Sequence, residues 1–267
     1  RKELKDITEL EVEFTTSDGT FGELEDLDQS LELEGVSRLF NYSLESMRNL
    51  VYDRDGVGVI AGHPWFQSFW ARDGLWTLLG LIDAGYFELS EDILTNYAEQ
   101  GLPGKINIGS DNREDSADTD TYPLFIIAAD KLERHFRTND KIEEAREKAI
   151  SELEIDDDGV VKHSPDGTWM DTLEREKAVD IQSLWLKAAE IEGLDEEEEL
   201  RSGLEKFEDE NYVQDNLGEK NSETINPAVP LMFKQFTEEE GSDYLEKINA
   251  EFSSRFGART RSVTDPG

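Results

Sequence analysis

Residues 60–76 read Ile60-Ala61-Gly62-His63-Pro64-Trp65-Phe66-Gln67-Ser68-Phe69-Trp70-Ala71-Arg72-Asp73-Gly74-Leu75-Trp76. Between Ala61 and Tyr86 the charged side chains are Arg72, Asp73 and Asp83, in a chain that is 34% charged. So local a loss of charge marks a segment that is buried or lines a pocket. The rings either pack a core or wall a site, since Trp is rarely fully enclosed. Aromatic rings beside fixed carboxylates, Arg and Gln suit a carbohydrate: sugar C–H faces stack on the rings and hydroxyls need paired donors and acceptors. The other two Trp keep similar company. Trp169 lies in Asp166-Gly167-Thr168-Trp169-Met170-Asp171-Thr172, and Trp185 ends Val179-Asp180-Ile181-Gln182-Ser183-Leu184-Trp185.

Outside these stretches the chain is acidic, with 63 Asp and Glu against 27 Lys and Arg and a net charge of -36. Nucleic acid is excluded as the default partner, because binding it needs a basic surface that releases counterions. An anionic membrane surface is disfavoured for the same reason. Disorder would fit the charge, but 13 Phe, 7 Tyr and 5 Trp do not fit disorder. Runs such as Asp156-Asp157-Asp158 and Glu238-Glu239-Glu240 repel themselves in dilute buffer. In molar salt the Debye length falls to ~3 Å and the repulsion is largely screened. The expectation is a folded protein of a salt-in halophile, working in the cytoplasm. A calcium-binding acidic protein is the rival, but no window matches a D-x-[DN]-x-[DN]-G loop with its closing Glu.

There is no Cys, and His63, His135 and His163 stand in unrelated contexts that read as structural or surface. Neither a metal nor a cofactor is expected. No apolar run reaches ~18 residues, and no signal-peptide pattern opens the chain. The first residue is Arg1 and the last is Gly267, so both ends are expected to continue into something longer.

Residues 1–14 alternate loosely, and 1–30 read as a linker or the end of an upstream domain. From Leu33 the pattern turns helical, with Val36, Leu39, Phe40, Leu44, Met47, Leu50 and Val51 on one stripe. Further helical stretches are predicted at roughly 72–84, 90–100, 120–137, 140–153, 178–193, 195–208, 225–236 and 241–254 by the same periodicity. Ser90 is the expected N-cap of one, and Gly85, Gly101 and Gly193 are the expected stops. No alternating strand of useful length follows residue 30. The predicted class is all-α, with long connections at 52–71, 102–119, 154–177 and 209–224 of the kind that carry function.

At these aromatic stretches the sequence resembles the glucosidase domain of glycogen debranching enzymes, the amylo-α-1,6-glucosidases. Ile60 to Asp73 is similar to the family's "AGYPWF…WGRD", and Asp120-Thr121-Tyr122-Pro123-Leu124-Phe125-Ile126 to its "DATLWFI". Gly167 to Asp171 is similar to "GTWMD", and Val179 to Trp185 to "VEIQALW". Ile225-Asn226-Pro227 stands where the family has "RPNQ", and Phe256 to Gly267 resembles "YGLRTLSPDDPGY". Ala71 replaces the family's Gly, His63 its Tyr, and the Arg and Gln of "RPNQ" are absent.

The resemblance implies an (α/α)6 toroid of the six-hairpin glycosidase type over residues 31–267, incomplete in this chain because its last helices would lie further on. It implies an exo-acting, inverting α-glucosidase acting on α-glucans, with Asp171 as general acid and a general base beyond residue 267. Arg72 and Asp73 would grip glucose hydroxyls, and Trp65, Phe66, Trp70 and Trp169 would wall the pocket. Asp120, Asp180 and Gln182 are further candidates for sugar or loop contacts. The alternative is a non-catalytic carbohydrate-binding or regulatory toroid that keeps the aromatic pocket without the acid–base pair.

Overall fold

A computed structural model describes residues 34–54, 56–102, 105–106, 119–165, 167–170, 173–209, 212–218, 222–254 and 257–262. The expectations for residues 1–30, for Asp171 and for Asp265-Pro266-Gly267 lie outside the described residues. Helix predominates, with small sheets between. The chain divides into two compact units, one from residues 1–115 and 128–146, the other from 116–127 and 147–267. No helix among the described residues is long and apolar enough to cross a membrane.

The first unit opens with α1 (Glu34–Arg48) and a meander of β1 (Val51–Asp53), β2 (Val57–Gly62), β3 (Phe66–Trp70) and β4 (Lys105–Ile106), antiparallel in that order. This sheet corrects the expectation of helix alone: most of the described residues between 51 and 70 lie in strands joined by turns, not in a long loop. The reason is local. Val59 and Ile60 are neighbours on β2, and both are fully buried. A strand covered on both faces loses the polar–apolar alternation that would betray it. Gly58 is required there, because a Cβ would overlap the Phe69 ring of the facing strand.

β3 runs directly into α2 (Ala71–Asp83), whose buried face is Ala71, Gly74, Leu75, Leu78, Leu81 and Ile82, the spacing of a helix pressed on a core. Asp73 lies in its first turn, where a carboxylate complements the helix dipole. The helix ends as predicted at Gly85, with Tyr86 N–H bonding Leu81 O and Gly85 N–H bonding Ile82 O, a Schellman stop. Next comes α3 (Phe87–Gln100). It begins before Ser90, so Ser90 is not its cap; its buried hydroxyl donates back to Tyr86 O at 2.7 Å. The expected stop at Gly101 holds. The fully buried Tyr97 hydroxyl accepts from Val59 N–H at 3.2 Å, pinning α3 to β2. The rest of the unit comes from the latter part of α4 (Thr121–Glu133) and most of α5 (Asp140–Ile150).

The second unit is organised around α6 (Val179–Glu192), which is buried nearly all round from Val179 to Ala189 and stops at left-handed Gly193. α7 (Glu197–Glu205) packs on it through Leu200, Gly203 and Leu204. A Cβ at Gly203 would lie 2.0 Å from Gly159 O and 2.6 Å from Gln182 Nε2. That closeness lets the Gln182 amide donate to Gly159 O and Leu200 O and accept from Val161 N–H. The predicted 225–236 helix is only the short α8 (Ala228–Met232), with Pro227 before it. α9 (Glu238–Phe252) opens on a Thr237–Glu240 capping box. Two-residue hairpins, β5–β6 (Glu208–Asp209, Tyr212–Val213) and β7–β8 (Ser253–Ser254, Gly257–Ala258), complete it.

Candidate functional site

In the first unit the turn between β2 and β3 throws its rings outward: Trp65 is 84% exposed and Phe66 63%. Exposed polar contacts brace the turn. Gln67 Nε2 donates to Pro64 O at 2.8 Å, Arg54 to Gln67 O at 3.0 Å, and the His63 ring lies 3.2 Å from the Tyr52 hydroxyl. Trp70, Arg72 and Asp73 are half-buried at the strand-to-helix junction. Burial pushes the Tyr97 phenol far up against the Val59 N–H it accepts, with a smaller push from Asp73.

In the second unit the segment carrying Trp169 and Met170 is a loop with a closed neck. Arg175 N–H bonds Pro165 O at 3.0 Å, and Gly167 O accepts from both the N–H and the hydroxyl of Thr119. Asp120, the next residue, is buried immediately before α4. His163 Nε2 accepts from Ala178 N–H at 3.0 Å, and its Nδ1 lies 2.9 Å from Ser164 O. A peptide N–H can only donate, so the proton of a neutral ring must sit on Nδ1. Burial lowers the His163 pKa and favours this neutral form.

Beneath the loop the Arg175 guanidinium is 1% exposed and grips Asp180 with two bonds, at 2.8 and 3.2 Å, and Asp215 with one at 3.0 Å. Burial opposes its charge, yet the two carboxylates hold its pKa above the ordinary value. Asp215 Oδ1 also accepts from Thr224 Oγ1 at 2.8 Å and Asn226 Nδ2 at 2.7 Å. Burial raises the Asp215 pKa despite Arg175 beside it, and Oδ2 has no hydrogen-bond partner among the described residues. Asn226 Oδ1 in turn takes the Trp169 indole N–H at 2.7 Å, and its Nδ2 lies 3.2 Å from Met170 Sδ. Trp169 is thus held by its edge while the residue stays 38% exposed.

The sequence candidates therefore fall into two sets. Trp65, Phe66, Trp70, Arg72 and Asp73 belong to the first unit. Trp169, Asp120, Asp180 and Gln182 belong to the second, where a hydrogen-bonded chain joins Trp169 to Asp180 through Asn226, Asp215 and Arg175. Asp180 and Gln182 are buried against protein partners that tie loops to α6. Asn226, Asp215 and Arg175 were not among the sequence candidates. Asn226 had a signal, since it stands in the segment matched to "RPNQ"; Arg175 sits in Leu173-Glu174-Arg175-Glu176-Lys177, which reads as a charged surface. A shallow cleft lined in part by Asp215, Tyr212, Tyr244, Lys247 and Phe252 does not include Trp169 or Met170.

No curated protein matches the chain. The sequence model of the amylo-alpha-1,6-glucosidase family matches residues 42–267, across the aromatic turn of the first unit and the Trp169 loop of the second. The chain belongs to the amylo-alpha-1,6-glucosidase family.

Proposed function

We propose that the protein is an exo-acting, inverting α-glucosidase that removes terminal glucose from α-glucans, α-1,6 branch glucose among them. Family membership supports a glucosidase-like activity on carbohydrate. The observation that carries the finer reading is Trp169, half-exposed and fixed by its indole N–H, two positions before Asp171. A ring so held offers a sugar a face in a set direction, which is what orientation by an enzyme requires.

Asp171 is the general acid in this reading. A carboxyl group in that role needs its pKa raised, and desolvation by its sequence neighbours Trp169 and Met170 is the proposed cause. Inversion then needs a second carboxylate, roughly 6.5–9.5 Å away, to activate water on the opposite face. Arg72 and Asp73 are assigned to glucose hydroxyls, with Trp65, Phe66 and Trp70 as aromatic walls. Asp120, Asp180 and Gln182 are assigned to loop support. An (α/α)6 toroid is the architecture proposed around them, and a salty cytoplasm the place where so acidic a surface is stable.

The test is proton NMR of panose incubated with the intact protein in molar KCl. An inverting enzyme releases β-glucose first, and the α-anomer grows in only by mutarotation. Initial release of α-glucose would refute inversion. Binding of the sugar without any glucose release would favour the non-catalytic toroid.

A further inference from the structure

Asn226 is 1% exposed, and both ends of its amide are committed. An indole N–H only donates, so the group facing Trp169 Nε1 at 2.7 Å must be the carbonyl oxygen. The amide nitrogen then faces Asp215 Oδ1 at 2.7 Å and Met170 Sδ at 3.2 Å. A flipped amide would set donor against donor and acceptor against acceptor, so this orientation is fixed by its partners. Asp215 is itself fixed, by Arg175 at 3.0 Å and Thr224 at 2.8 Å. Thr224 Oγ1 also receives the Asn226 backbone N–H at 3.2 Å. Such a run holds one rotamer at each position, because each polar atom loses a partner if its neighbour turns.

A packing Trp keeps most of its ring surface against protein and gives its N–H to a nearby acceptor. Trp169 instead keeps much of its surface open while its edge is bound by a buried, doubly oriented amide. We propose that Asn226 is a positioning residue of the sugar site. It clamps the Trp169 ring and the Met170 thioether in one arrangement. This rests on the reading of Trp169 as a sugar platform and Asp171 as the acid. Asp215 acts one step further back, by holding the Asn226 amide in the only orientation that can receive the indole.

The experiment uses the intact protein in molar KCl, with Asn226→Ala and Asn226→Asp. Nitrogen-labelled indole spectra report hydrogen exchange at Trp169 Nε1, assigned by its loss in Trp169→Phe. Asn226→Ala should speed that exchange about tenfold or more, since the bond that protects it is gone. It should also raise KM for panose about tenfold and lower kcat about tenfold, as a displaced platform costs orders of magnitude in kcat/KM. Mere loss of folded protein would lower kcat and leave KM unchanged.

Asn226→Asp keeps an acceptor for the indole but sets a carboxylate against Asp215, beside Arg175 and within reach of Asp180 through it. It should resemble Asn226→Ala near pH 7.5 and regain wild-type KM near pH 5.5, where one of the paired carboxyls holds a proton and donates. Unchanged indole exchange in Asn226→Ala, or unchanged KM in both variants, would overturn the clamp. A wild-type protein that neither binds nor cleaves α-glucosides would overturn the underlying reading instead, with the indole exchange still deciding whether Asn226 holds Trp169.

Discussion

The turn carrying Trp65 and the loop carrying Trp169 present the same kind of ring by opposite means. Trp65 stands 84% exposed on a turn braced by exposed hydrogen bonds, such as Arg54 to Gln67 O. Trp169 is held from below by buried groups, down to an Arg175 that is 1% exposed between two Asp. Exposed braces compete with water and are weakened by salt, whereas a buried charged network is screened little. The two rings therefore differ in how much of the fold they depend on. Changes in the Trp65 turn are expected to cost its unit little, and changes beneath the Trp169 loop much more.

The sharpest way to break this contrast is to remove the centre of the buried network. Arg175→Met leaves Asp180 and Asp215 facing each other without a cation, and breaking a buried pair in this way costs about 3–5 kcal/mol. Chemical unfolding followed in molar KCl should register that loss, while Trp65→Ala should stay within about 0.5 kcal/mol of wild type, as exposed substitutions do. Comparable losses for both would mean that the two rings are supported alike.

A smaller effect comes from His163, which joins the neck of the loop to the start of α6. The unfolded chain takes up a proton there at the ordinary imidazole value of about 6.5. The folded chain does so only at lower pH, because burial disfavours the imidazolium. Below about pH 6.5 the unfolded state thus binds more protons, and stability falls as the pH drops. Asp215, whose pKa burial raises, acts in the opposite sense in the more acidic range where carboxylates titrate. His163→Gln removes the first contribution alone. The fall in melting temperature between pH 7.5 and 5.5 should therefore be larger in wild type than in His163→Gln; equal falls would show that His163 is not the group responsible.

Helices were legible because their buried faces recur at helical spacing, as from Ala71 to Ile82 in α2, and because Gly85, Gly101 and Gly193 end them. The sheet was hidden for a physical reason: adjacent Val59 and Ile60 are both enclosed, so β2 shows no alternation. Ser90 misled because a Ser can bond its own helix at i−4 as readily as cap one. In the site, the aromatic residues were visible through their lack of charged neighbours. Arg175 and Asp215 were not, since a buried ion pair between residues 40 apart looks in sequence like two more surface charges in an acidic chain.

Everything assigned to the Trp169 loop converges on Asp171, and turnover of panose by Asp171→Asn in molar KCl tests that assignment most directly. If Asp171 is the general acid, glucose release falls by about a hundredfold or more, the range lost with a general acid, while the sugar still binds. Release at the wild-type rate by Asp171→Asn would contradict the account.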